Sequence, residues 1–264
     1  MNKPRMAGTV AALLVLSLAG WPAFAQNKRE RGAEMVENVP KRNFEEDIFR
    51  TNVSELKITF VGHGTLMFEF RAKIIHVDPV SREADYGKMP KGDIILITHE
   101  HGDHLDPAAI EAVRKAKTTI LAPEKAAARV KGAIVIRNGD VRTVDGLRIE
   151  AVPAYNIVHK RPSGEPFHPR GEGNGYVITF GDKRIYVAGD TENVPEVKAL
   201  KNIDIVFLPM NLPYTMTPEM VADTAKAIRP KVLYPYHFGQ TDTSELVGLL
   251  AEDKDIEVRI RNMK

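Results

Sequence analysis

The chain has no cysteine among its 264 residues. That excludes a disulfide framework, a thiolate metal centre and a thiol nucleophile, so any metal must be held by imidazole and carboxylate groups. An excess of charge is missing too, since 37 Lys and Arg face 35 Asp and Glu. The balance gives no reason to expect nucleic acid or an anionic membrane surface as a partner. No apolar run reaches the ~20 residues that a spanning helix needs. The longest, residues 7–20, follows Lys3 and Arg5 and precedes Ala23-Phe24-Ala25. This is the plan of a secretory signal peptide cleaved after Ala25. The expectation is a mature chain starting at Gln26, secreted or periplasmic, with no stable membrane insertion after cleavage.

What the chain does have is histidine in one place. Thr98-His99-Glu100-His101-Gly102-Asp103-His104 follows the apolar run 94–97 and precedes Asp106-Pro107. The run reads as a buried strand, and Asp-Pro as the N-cap and first residue of a helix. The cluster therefore lies on a loop at a strand end. Three imidazoles and a carboxylate so spaced suit zinc or a similar first-row metal, with Gly102 letting the chain turn so that Asp103 and His104 face back.

Residues 26–54 are charged and weakly periodic and read as a tether containing one short helix at most, leaving 55–264 as the catalytic-size domain. Segments 56–61, 65–70 and 73–77 alternate or are rich in β-branched and aromatic residues, as in an antiparallel meander. His63, between Gly62 and Gly64, is either an exposed turn residue or one that approaches a site. Asp78 either orients a metal-bound histidine or only closes a turn. Beyond the histidine loop, strands and helices alternate, the pattern of a layered α/β fold. His99, Asn156, Asp190, Asn211 and His237 each lie just past an apolar strand, where a rigid sheet can hold loop residues in fixed relation.

Residues 157–175 carry His159, Lys160, Arg161, His168 and Arg170 among prolines and glycines, with no apolar period. So long a loop in a compact domain is functional or disordered. Its cations suit the edge of a site that takes a small, anionic substrate, with Asn156 and Arg170 as the candidate substrate contacts.

His99, His101, Asp103 and His104, the Gly189-Asp190-Thr191 run and the late His237 together resemble the metallo-β-lactamase-fold superfamily of metal-dependent hydrolases. Phe60 to Thr65 and Val77 to Pro79 are most similar to the branch that includes the ascorbate-phosphate lactonases and the N-acyl-phosphatidylethanolamine phospholipases D. The resemblance implies a four-layer αββα sandwich with one or two metals at its edge. It also implies His99 and His101 on a first ion, Asp103, His104 and His237 on a second, and Asp190 between them. Where the family has a further histidine on the first ion, this chain has Asn156. An amide oxygen is a poor zinc ligand beside imidazole, so either the first ion is bound more weakly or His168 swings in from the loop as the replacement, ahead of His159.

Zinc is the expected metal, with manganese or iron as alternatives. Because a metal brings the pKa of its bound water toward ~7, a hydroxide is available to attack an ester, lactone or phosphodiester, with Asp103 orienting it or taking its proton. Two other functions fit the same residues: an iron-dependent oxidoreductase, or a metal-binding protein with a degenerate site. The oligomeric state is not legible in the sequence.

Overall fold

The computed structural model describes residues 44–264. The expected signal peptide and residues 26–43 of the expected tether lie outside the described residues.

Alternation along the strands builds the layers. In β2 (Glu55–Gly62), β3 (Thr65–Phe70), β4 (Lys73–Val77), β5 (Ile94–Leu96) and β6 (Thr119–Ala122), successive side chains point to opposite faces. Ile58, Phe60, Phe68, Ile75, Leu96 and Leu121 go to one cluster, and Val61, Met67, Ile95 and Ile120 to another. The first cluster lies between two sheets. Phe60 meets Tyr234 with ring centroids 4.9 Å apart, and Phe68 meets Phe180 at 5.5 Å. The second lies under α1 (Pro107–Val113) and α2 (Glu124–Ala127), which bury Ile110, Val113 and Ala126 there.

The first sheet continues to β1 (Glu45–Arg50) at one edge and β7 (Ile134–Val135) at the other, in the order β1 to β7. The second holds β8 (Val141–Val144), β9 (Leu147–Ala154), β10 (Gly173–Phe180), β11 (Lys183–Val187), β12 (Ile205–Pro209), β13 (Val232–Tyr236) and β14 (Glu257–Val258), in reverse spatial order. In each sheet the first four strands pair antiparallel and the last four parallel. The parallel strands bring their C-terminal ends, and hence their loops, to one edge of the sandwich. The short α3 (Pro195–Lys198), with α4 (Pro218–Ile228) and α5 (Thr243–Leu249), covers the second sheet. Helix α4 starts where Thr217 accepts the Met220 N–H, and it buries Val221, Ala225 and Ile228 at helical spacing. The architecture is the αββα sandwich.

Two readings of the sequence are corrected. Residues 45–50 are not tether: they form β1, antiparallel to β2. Its charges hid it, because an edge strand tolerates them and Asp47 finds partners far along the chain. Asp47 accepts hydrogen bonds from Arg261 at 2.7 Å and from the Tyr234 hydroxyl. The long loop is also shorter than the composition suggested, since Gly173 to Gly175 already belong to β10 and pair with β9.

One buried histidine outside the cluster makes a prediction. His76 of β4 donates Nε2–H to the Pro90 carbonyl at 2.9 Å, and burial pushes the ring down from 6.5 to about 4. The unfolded chain therefore binds this proton more readily. The stability that His76 contributes is complete above pH 6.5 and is lost as pH falls toward 4, a total of roughly 3 kcal/mol. Metal-free protein is expected to lose thermal stability over this window, and His76→Gln, which keeps a donor but cannot titrate, to lose less. Equal losses in thermal melts of the two proteins at pH 7 and pH 4.5 would refute the assignment.

Candidate metal centre

Six of the eight histidines converge at the edge where the parallel strands end. The loop after β5 presents His99, His101, Asp103 and His104, anchored downstream by Asp106, whose carboxylate caps α1 through the Ala108 and Ala109 N–H groups. His99 Nε2 lies 3.1 Å from His101 Nδ1. His104 is aimed from behind by Asp78, which accepts its Nδ1–H at 2.8 Å and the Thr98 N–H at 2.7 Å. Of the two readings open for Asp78, orientation of a cluster histidine is the one its contacts match.

Asp190 follows β11 and stands in the middle of the cluster. Its Oδ2 is 3.2 Å from His168 Nε2 and 3.9 Å from His99 Nε2. Its Oδ1 is 3.4 Å from His104 Nε2 and 3.6 Å from His237 Nε2. Each carboxylate oxygen thus faces a different set of imidazoles. The position depends on Gly189, at φ +65°, where an added Cβ would lie 2.9 Å from both the Asn174 carbonyl oxygen and Thr98 Cβ.

His168 comes in from the long loop and joins His99 and His101. Asn156 holds it there, its Oδ1 accepting the His168 backbone N–H at 2.8 Å and the ring Nδ1–H at 2.7 Å. The Asn156 amide nitrogen donates in turn to Glu192 and to the Tyr214 carbonyl. Asn156 is buried and fully engaged, so the expected substrate contact is instead the support of His168. The placement expected for Arg170 is corrected as well. It pairs with Glu196 at 2.6 Å, lies over Tyr155 and does not line the cavity at the cluster. His159 is likewise outside the cluster, with Nδ1 2.8 Å from Glu192.

Glu192 was not singled out from the sequence, although it directly follows Gly189-Asp190-Thr191. Wholly buried, it accepts the backbone N–H groups of Ile157, Val158 and His159 at 2.6–2.7 Å. Burial would raise its carboxyl, but Asn156 and these N–H groups outweigh burial and hold it below the usual range.

The cluster fits a metal on its own chemistry. His104 Nε2, both ring nitrogens of His237 and Asp190 Oδ1 are buried without a hydrogen-bond partner, an arrangement costly unless a cation satisfies it. Burial lowers His99 and His101, and the neighbouring imidazoles add to it. Burial would raise Asp103 and Asp190, but the surrounding histidines hold both well below the usual carboxylate range. Neutral imidazoles and ionised carboxylates are the metal-binding forms. Burial alone would lower His104, yet Asp190, Asp78 and Asp103 push it up to about 9. A metal held there would have to displace a proton.

Beside the cluster opens a cavity of about 440 Å³, lined by His101, Asp103, His168, Asp190 and His237 together with Arg161, Phe167, Asn211 and Tyr214. Among the described residues that line it, Arg161 is the one arginine or lysine. It lies 5.2 Å from the Phe167 ring centroid and donates to the Phe167 carbonyl at 3.3 Å. Phe167 meets Tyr214 edge to face at 5.0 Å.

Residues 57–237 match the family described as the Beta-lactamase superfamily domain. Over 202 residues the chain is 31% identical to a UPF0173 metal-dependent hydrolase of Koribacter versatilis, a span covering 70% of this chain and 84% of that protein. A UPF0173 metal-dependent hydrolase of Pelotomaculum thermopropionicum is 27% identical over 223 residues, 78% of this chain and 96% of that one. Among solved structures, a protein from Parabacteroides distasonis, provisionally assigned as a metal-dependent hydrolase, superposes with a TM-score of 0.80 at 51% identity, covering 84% of this chain and 100% of that one. Igni18, a metallo hydrolase from Ignicoccus hospitalis, superposes at 0.65 with 24% identity, over 79% and 95% of the two chains, and shares the fold.

Proposed function

The chain belongs to the Beta-lactamase superfamily domain family, among its metal-dependent hydrolases, and from this premise we propose an exported zinc enzyme acting on a small anionic ester, lactone or phosphodiester. The observation that carries the reading is Asp190, whose two oxygens face two separate imidazole sets at the wall of an open cavity. His99, His101 and His168 would hold one ion and Asp103, His104 and His237 the other, with Asp190 shared. When bound, such ions supply water acidified toward neutral pH and a Lewis acid for the substrate oxygen.

The remaining work falls to the protein. Asp103 lines the cavity and is ionised, so it can orient a nucleophile or accept its proton. Arg161 lines the same cavity as the cluster and suits a substrate carboxylate or phosphate, while Phe167 and Tyr214 offer ring surfaces to an apolar portion. Asn156 and Glu192 tie residues 156–159 and His168 together through hydrogen bonds.

Metal analysis of protein purified without added metal, followed by a panel of lactones, phosphodiesters and β-lactams, tests the reading. Zinc or manganese with turnover supports it, and iron with a visible chromophore and no hydrolysis overturns it. Arg161→Gln is expected to lower kcat/KM about 10–100-fold for anionic substrates, mainly through KM, and to spare neutral ones. An equal loss on neutral and anionic esters would remove Arg161 from substrate recognition. Export rests on residues 1–25 and is checked by N-terminal sequencing of protein recovered outside the cytoplasm, expected to begin at Gln26.

A further inference from the structure

His63 lies in the turn between β2 and β3, its side chain 13% exposed, against the half of the cluster formed by Asp103, His104 and His237. Its Nδ1 is 3.1 Å from the backbone oxygen of Lys264. A backbone oxygen can only accept, so Nδ1 carries the proton. In the neutral ring Nε2 then holds a lone pair, and that atom lies 3.2 Å from Asp103 Oδ2. A lone pair facing a carboxylate needs a proton or a metal ion between them.

The surroundings favour the metal. The same Asp103 oxygen is 3.4 Å from His237 Nε2 and 3.9 Å from His104 Nε2. The His63 and His237 ring centroids are 3.7 Å apart, and those of His104 and His237 5.0 Å. One divalent ion at this point satisfies the three ring nitrogens and the Asp103 carboxylate at once. The four ligand atoms lie within 4.8 Å of one another. Neighbouring ligands on one zinc ion stand about 3–3.4 Å apart, close to the spacings around Asp103. An Nδ1–H given to a backbone oxygen is also the usual support of a metal-bound histidine.

The turn is built for this approach. His63 adopts φ +50°, unusual outside glycine, and its carbonyl accepts the His237 backbone N–H at 3.0 Å. At Gly64 an added Cβ would lie 2.6 Å from His104 Cε1, so only glycine lets the turn pack against that ring.

We propose that His63 is a further metal ligand, through Nε2, on the ion held by Asp103, His104 and His237. The inference rests on the reading that the cluster binds metal, and it adds a fifth protein group to the position that already has Asp103, His104, His237 and the shared Asp190. The ion at His99, His101 and His168 is then the one with room for water or substrate, and the His63 position should fill first.

Titration of the metal-free full chain with cobalt(II) tests this without an activity assay. Each ligated imidazole keeps one N–H, so wild type with two ions is expected to give six paramagnetically shifted imidazole N–H signals, and five would overturn the proposal. His63→Asn, which tolerates a positive φ but is too short to reach the ion, is expected to weaken one cobalt about 100-fold or more and to change its d–d spectrum. Unchanged affinity and spectrum would also overturn it. So would restoration of both by His63→Gln, which can replace a hydrogen-bond donor but not an imidazole ligand. Two ions bound at unchanged affinity without His63 defeat this inference alone, whereas no bound cobalt in wild type defeats the metal reading itself.

Discussion

Asp190→Asn is expected to abolish hydrolysis and to weaken metal at both positions, while the metal-free protein folds as wild type does. The amide keeps the shape of the carboxylate but removes the charge that four imidazole nitrogens face at 3.2–3.9 Å. An outer hydrogen bond to a ligand is worth ~10–100-fold in affinity, and losing a shared charged ligand should cost more at each position. His101→Ala, by contrast, should also silence hydrolysis but release metal from one position only, because His101 groups with His99 and His168. Atomic absorption on dialysed protein distinguishes the two patterns. Two retained ions and full turnover in Asp190→Asn would remove the carboxylate from the centre of the site.

His168→Ala is expected to lose one equivalent of metal, and His159→Ala to retain both. The two histidines are nine positions apart on one loop, yet only His168 is turned onto Asp190 and gripped by Asn156. Asn156→Ala should fall between them, weakening the same ion by about 10–100-fold, because His168 keeps its place in the chain but loses the acceptor that aims its ring. The metal content of the three variants, measured with KM, decides the matter. Normal metal occupancy with a raised KM in His168→Ala would make His168 a substrate contact and leave the first position to His99, His101 and Asp190.

Local chemistry made much of this protein legible before any coordinates. Period-2 alternation marks β2, β3 and β4, because a strand with a buried face must repeat apolar residues at every second position. Asp106-Pro107 marks the start of α1, because a cap and a fixed φ act within one turn of helix. The His99 to His104 spacing marks a metal loop, because the donors are close in sequence and so close in space. The link of Asp190 and His237 to that loop came from strand ends together with family resemblance.

What escaped the sequence depends on partners far along the chain. The charged strand β1 looks like a tether until Arg259 and Arg261 reach Asp47. Arg161 and Arg170 are equivalent by composition, and only the folded loop turns one into the cavity and the other onto Glu196. Asn156 looked like a vacated ligand position, whereas its burial between His168 and Glu192 makes it a support. The sequence left His63 open between an exposed turn residue and one near a site, and the fold places it against Asp103, forty positions away. Propensity and periodicity act over a few residues, whereas the aim of a polar side chain is set by whichever distant donor or acceptor burial leaves it, and only the packed sandwich supplies that partner.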